Sequence, residues 1–238
     1  MNKNLALEIK DGIHSLHRYT VDLNDFDPVR YLGTRSTYLS IKTDKIRNFL
    51  KVFKRSHKDL SYDKFIQILD DLYSEDVFEV KNSASFLISI YYEHRRVLDL
   101  KKLNEWLYHL NGWAEIDTMC QNNFPGKEVF SRFNEWKPLL KGFSTHKDIS
   151  HRRASMVLLL KTVRSINDPQ VRDLAFDNIR ANMESRDILI TKSISWILRT
   201  MINLYREDVR DFLSENEAVL PAIAIRETKK KLLTGKKN

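Results

Sequence analysis

Trp113 and Asp117 stand four residues apart in the run Trp113-Ala-Glu-Ile-Asp117, so on a helix they share one face. An indole face attracts positive charge and a carboxylate adds Coulomb attraction. The pair could therefore hold a cation or a cation-like transition state. Taken alone, a core tryptophan beside a surface aspartate is the commoner reading.

Two further segments carry charge where packing does not require it. His151-Arg152-Arg153-Ala154-Ser155-Met156 opens an apolar helix. Arginines at a helix start oppose its dipole and need an anion, either a neighbouring acid or a phosphate. Arg153 is expected to be partly buried, held by a carboxylate such as Asp117. Lys192, Trp196 and Arg199 share one face of a later helix. A tryptophan between two cations suits a surface that meets phosphates and a base or sugar, and it also suits an amphipathic helix with a half-buried indole. Asp117 lies 36 residues before Arg153, and Arg153 lies 43 before Trp196. Both spacings are close to a HEAT-type repeat of ~40 residues. If the three segments are the inner helices of successive repeats, they converge on one concave, basic, aromatic-studded surface.

Other chemistries lack their residues. There is no phosphate loop, no G-x-G-x-x-G, no H-E-x-x-H and no G-x-S-x-G elbow. Of the seven histidines only His14 and His17 have helical ligand spacing, and no third ligand accompanies them, so a metal site is not expected. The single cysteine, Cys120, excludes an internal disulfide and fits a reducing cytoplasm. The net charge of +8 favours a polyanionic partner, although part of the surplus sits in the tail lysines 229–231 and 236–237. No run is long and apolar enough for a membrane span or signal core.

The elements that must position these residues are helices. Six glycines and five prolines in 238 residues leave too little turn punctuation for an all-β chain. Apolar positions recur at helical spacing, as in Ile46, Phe49, Leu50 and Phe53. The periodicity predicts helices over 2–17, 25–33, 43–56, 61–74, 76–95, 99–110, 113–122, 126–143, 148–165, 169–182, 187–205, 207–215 and 218–232. The β-rich stretch from Phe86 to Tyr92 is read as helix because its flanks are helical. Short connections between similar helices suggest an all-α fold of HEAT-like repeats stacked into a curved solenoid. No linker divides the chain, so residues 1–238 are read as one domain.

With these motifs in order, the chain resembles the AlkD-like family of DNA alkylation repair glycosylases. Trp113-Ala-Glu-Ile-Asp117 is similar to the family's W-D-x-V-D, and Arg152-Arg153-Ala154 to its arginine-rich helix start. Residues 191–200, with Lys192, Trp196 and Arg199, resemble Q-K-A-I-G-W-x-L-R-E. Val209 to Asn216 and Arg226 to Lys230 follow the family's later runs, and Tyr31 to Arg47 echoes its opening pattern. Ala114 stands where an aspartate is usual, Gly112 where a polar or aromatic residue often precedes the tryptophan, Ser150 in place of a frequent tryptophan, and Lys42 in place of a frequent glutamine.

The resemblance implies a monomeric, cytoplasmic, nucleoid-associated enzyme needing no metal or organic cofactor. Its substrate would be double-stranded DNA carrying cationic alkylated purines of the 3-methyladenine and 7-methylguanine type. Asp117, Trp113, Trp196 and Arg153 would be catalytic. Tyr31, Lys42, Arg152, Lys192 and Arg199 would bind DNA. The competing expectations are a non-catalytic binder of damaged, bent or branched DNA, and a protein scaffold.

Overall fold

A computed structural model describes residues 4–17 and 26–235. The first residues of the predicted helix 2–17, residue 25 of the next, and Lys236 and Lys237 lie outside them. The described residues form sixteen helices and no strand beyond an isolated Thr37–Val77 bridge. None of the helices is long and apolar enough to cross a membrane. The chain divides into two compact units, Met1–Asn123 and Phe124–Asn238.

The first unit contains α1 (Leu5–His17), α2 (Pro28–Leu32), α3 (Thr43–Ser56), α4 (Tyr62–Tyr73), α5 (Phe78–Ile90), α6 (Tyr92–Arg96), α7 (Lys101–Leu107) and α8 (Gly112–Asn123). α1 packs on α3 and α4, α4 on α5, and α5 on both α3 and α8. The second unit contains α9 (Gly126–Ser131), α10 (Phe133–Ser144), α11 (Ile149–Val157), α12 (Leu160–Ser165), α13 (Pro169–Arg180), α14 (Ile188–Met201), α15 (Arg206–Glu215) and α16 (Ala222–Thr234). There α10 packs on α11 and α13, α11 on α14, and α14 on α16.

The polar cross-links show the repeat. In the first unit Trp106 Nε1 donates to Asp70 Oδ1, 36 residues back, and a ring nitrogen of His94 bonds the carbonyl of Leu60, 34 back. In the second, the Asp168 amide donates to the hydroxyl of Tyr205, 37 residues on, and Asn182 Nδ2 donates to the carbonyl of Ser144, 38 back. Side chains one helix pair apart thus meet repeatedly, as stacked HEAT-like units require. Between them lie apolar layers such as Leu50, Leu69, Leu72 and Ile88 in the first unit and Leu174, Ile194 and Ile197 in the second. Each such side chain contributes about 1.5–3 kcal/mol on burial.

Three predicted helices are interrupted. The stretch 76–95 breaks at Tyr91 (φ −94°, ψ 63°), whose ring is buried and whose hydroxyl donates to the carbonyl of His57. That anchoring in a neighbouring helix pair draws the backbone out of α geometry. The stretch 126–143 breaks at Arg132 (φ −117°, ψ 31°). The stretch 148–165 tightens at Leu158 and Leu159 but keeps right-handed helical angles. The β-rich run from Phe86 stays helical as far as Ile90.

The segment before α3 is held by one buried carboxylate. Glu79 accepts from the amides of Leu39 at 2.9 Å and Ile41 at 3.2 Å. Ser40, between them, takes φ +59°, a left-handed geometry costing roughly 1–2 kcal/mol for a non-glycine residue. Burial pushes the Glu79 carboxyl above its usual range, and the two amide bonds partly oppose the shift. A carboxyl with a raised folded pKa contributes its stability fully below the unfolded value of ~4.3 and loses it as pH rises through the folded value. Glu79→Gln is therefore expected to lose less stability than the parent between pH 4.5 and pH 7. Denaturant unfolding at both pH values measures this, and equal pH slopes would contradict it.

Candidate active site

The tryptophan that opens α8 is placed by a clasp of backbone and buried charge within the first unit. Gly33 ends α2 at φ +71° and Gly112 begins α8 at φ +68°. Left-handed backbone of this kind suits glycine, and here the lack of side chains also lets two chain segments touch. A Cβ built on Gly112 would lie 2.2 Å from the carbonyl oxygen of Gly33 and 2.8 Å from the Thr34 amide nitrogen. The contact brings Trp113 to α2, where its Nε1 donates to the carbonyl of Tyr31 at 2.8 Å. The two rings meet edge to face, with centroids 6.4 Å apart. Tyr31 is 65% exposed and Trp113 36%, so the pair is a surface platform with a fixed geometry.

Beneath the platform Glu115 is fully buried. Its Oε1 accepts from Thr34 Oγ1 at 2.5 Å and Ser36 Oγ at 2.9 Å. Its Oε2 accepts from the Asn111 amide at 2.7 Å, which satisfies a donor at the start of α8. Lys81 on α5, also buried, donates to Ser36 Oγ at 2.8 Å and lies 3.7 Å from Glu115 Oε2. The loop 33–36 is thus tied to α8 and α5 by an ion pair whose lone pairs are filled by hydroxyls and an amide, the condition under which a buried charge is tolerated.

Gly112→Ala is expected to destabilise the chain by at least ~1–2 kcal/mol, from left-handed strain plus the collision with Gly33. Gly142→Ala is the control: it sits in α10 with nothing within 4 Å of the added methyl, and should stabilise by about 0.5–1 kcal/mol. Thermal unfolding of both variants compares them, and a neutral Gly112→Ala would refute the clasp.

Asp117 follows one turn after Trp113 and is partly exposed. Ala114 is 7% exposed and faces the packed side of α8. Lys42, the residue preceding α3, is exposed.

In the second unit Arg152 donates through Nε to Asn182 Oδ1 at 2.8 Å. Arg153 is buried, and its Nη1 donates to the carbonyl of Leu189 at 2.5 Å, linking α11 to the first turn of α14. On α14, Lys192 is exposed and Trp196 half-buried. Arg199 differs from expectation. It is 9% exposed and lies 3.2 Å from Glu227 of α16, which also accepts from Ser195 Oγ at 2.5 Å. Arg199 Nε bonds the Ser195 carbonyl and hydroxyl, and Lys231 Nζ donates to the Arg199 carbonyl at 2.7 Å. Burial first, then the charges of Arg199 and Arg164, hold the Lys231 ammonium below its usual value. The Arg199 guanidinium therefore braces α14 against α16 instead of facing outward with Lys192.

Sequence reading missed Glu115, Lys81 and Thr34, whose partners lie up to 81 residues away. It also missed His146, Asp148 and His151, which among the described residues place one possible ligand atom each within 4.8 Å of one another. The two imidazole centroids are 3.9 Å apart, and the Asp148 amide donates to His146 Nδ1. Two imidazoles and a carboxylate are a donor set that could hold a transition-metal ion.

A sequence profile described as DNA alkylation repair enzyme matches residues 28–232, the span from α2 through most of α16. The chain belongs to that family. Every residue of the platform and of the α11 and α14 clusters falls inside the matched span. A solved structure described as a predicted DNA alkylation repair enzyme from Enterococcus faecalis superposes on this repair-family chain with a TM-score of 0.71. The match covers 87% of this chain and 93% of that one at 18% identity, and it establishes a shared fold. No curated protein matches the repair-family chain.

Proposed function

We propose that the chain hydrolyses the N-glycosidic bond of cationic alkylated purines, such as 3-methyladenine and 7-methylguanine, in duplex DNA. The observation that carries this reading is the Tyr31–Trp113 platform: an exposed, rigidly docked indole with a partly exposed carboxylate one helical turn behind it. An N-alkylated purine already bears positive charge and leaves readily, so little general-acid help is needed. Bond breaking builds oxocarbenium character on the deoxyribose. Groups that hold positive charge better in the transition state than in the ground state then accelerate the step.

Asp117 supplies the negative charge and positions the attacking water. The Trp113 ring offers its π face to the sugar, and the half-buried Trp196 is an aromatic contact for DNA on the second unit. Tyr31, Lys42, Arg152 and Lys192 contact the phosphate backbone. Arg153 and Arg199 act through packing, Arg153 by joining α11 to α14 and Arg199 by holding α14, and hence Trp196, against α16. This chemistry asks for no metal or cofactor.

The test is release of free 7-methylguanine and 3-methyladenine from methylated duplex DNA, measured against spontaneous depurination. Release above that background with multiple turnovers is expected. Tight binding of the same DNA without release would overturn the enzymatic reading in favour of a DNA-binding one.

A further inference from the structure

Seven of the chain's 40 lysines and arginines fall within residues 42–58, on α3 and its flanks. Residues 42–58 hold Lys42, Lys45, Arg47, Lys51, Lys54, Arg55 and Lys58 against one carboxylate, Asp44, with Asp59 next in sequence. These cations divide by what they touch. Arg47 lies over the Phe86 ring at 4.1 Å and donates to Asn122. Lys54 Nζ donates to the carbonyl of Ile90 at the end of α5, lies 3.7 Å from Glu93, and sits over the rings of Tyr91 and Tyr92. These two cations serve the fold. Lys51, Arg55 and Lys58 do not: all three are exposed, and among the described residues no carboxylate is ion-paired with any of them.

The three line a cleft of ≈ 520 Å³ with Lys54, Ile90 and Tyr92. Tyr92 is 47% exposed and also carries the Arg96 guanidinium 5.5 Å from its ring centroid. Helix-dipole compensation at the α3 C-terminus explains cations of the last turn. It does not explain Lys51, a turn earlier, or Lys58 beyond the helix, or an aromatic ring left in solvent beside them.

We propose that the C-terminal half of α3, with Lys51, Arg55 and Lys58 around Tyr92, is a second nucleic-acid surface that tracks the phosphate backbone of the duplex flank. The choice of ligand rests on the repair reading; the charge arrangement does not. The cations are strung over roughly 10 Å at 1.5 Å per residue, whereas a duplex presents one negative charge per ~1.7 Å of axis. A line of cations therefore meets several phosphates at once, while a lone phosphate would engage one. Lys42, the N-cap residue of α3, lies about 14 Å from Lys51 along the helix axis, so one element carries both.

The experiment compares the parent with Lys51→Gln/Arg55→Gln/Lys58→Gln and with a charge-matched control, Lys127→Gln/Lys137→Gln/Lys141→Gln, which removes three exposed cations of the second unit. Binding of an unmodified 24-base-pair duplex is followed by anisotropy from 50 to 200 mM salt. The expected result is a log K against log[salt] slope shallower by about 2–3 in the α3 variant, at ~0.9 per phosphate lost, with a smaller change in the control. A slope unchanged in the α3 variant, or lowered equally in the control, overturns the proposal. Because the duplex is undamaged, the outcome is separable from catalysis. A parent that releases no base while the α3 slope still falls defeats the glycosylase reading alone. A parent that releases base with an unaltered α3 slope defeats this surface alone. Tighter binding of an acidic protein than of DNA by the parent, lost in the α3 variant, also overturns it.

Discussion

Asp117→Asn is expected to slow release of 7-methylguanine by about 10²–10³-fold, the loss typical when a single preorganised electrostatic group facing developing charge is removed. The asparagine keeps the volume and a hydrogen-bonding oxygen but carries no charge. What disappears is the stabilisation of the oxocarbenium-like state, not the contact with substrate. The kinetic signature follows: kcat and kcat/KM should fall together, because the interaction is made in the transition state. Affinity for undamaged duplex should stay level or rise slightly, since a negative charge is removed from a surface facing phosphates. Asp117→Glu should recover part of the rate if charge is the requirement. Full activity in the asparagine variant would remove Asp117 from the chemistry and leave the platform as a binding element.

Glu115→Ala is expected to cost about 3–5 kcal/mol, since it removes the buried carboxylate of the Lys81 ammonium and leaves it only the exposed Asp76, 3.8 Å away. Thr34, Ser36 and the Asn111 amide lose an acceptor at the same time. At roughly 2–4 °C per kcal/mol the melting midpoint should drop by about 10 °C. Lys81→Met alone leaves a carboxylate that is still bonded to two hydroxyls and an amide, so it should cost less. The double variant should be more stable than the sum of the single losses predicts, by about 1–3 kcal/mol of coupling. Thermal or denaturant unfolding of the four proteins gives this number. Strict additivity would mean that the pair, 3.7 Å apart, does not act as one unit. Where Glu115→Ala remains folded, base release should fall as well, because the loop that orients Trp113 is no longer pinned.

The two variants mark the boundary of what could be read without coordinates. Helical periodicity marked α3 at Thr43–Ser56 and the start of α13 at Pro169, because amphipathic spacing and caps are local signals. The break at Tyr91 was hidden: its cause is a hydroxyl bonded to His57 in a preceding helix pair. Trp113, Asp117 and Trp196 stood out as residue types, and their helical setting followed from spacing. The role of Arg199 did not, since Lys192, Trp196 and Arg199 share a face by periodicity, while Glu227 on α16 decides which of them turns inward. Glu115 was invisible for a similar reason. A glutamate between an alanine and an isoleucine on a helix looks like a solvent-facing residue until Thr34, Ser36 and Lys81 are brought to it. The cationic run on α3 was present in the composition, but local charge does not tell which lysines brace neighbours and which are left in water.

In the second unit none of the described polar links spans more than 39 residues, about one helix pair. The Trp113 indole, by contrast, bonds a carbonyl 82 residues upstream, and Glu115 reaches Thr34 across 81. A nascent chain could therefore stack its helix pairs one after another while still being synthesised, yet its aromatic platform would not exist until α8 arrived and met α2. A fragment ending before residue 112 would contain α1 to α7 but lack the indole of the platform. The platform is thus completed midway along the chain, with α8, the last helix of the first unit.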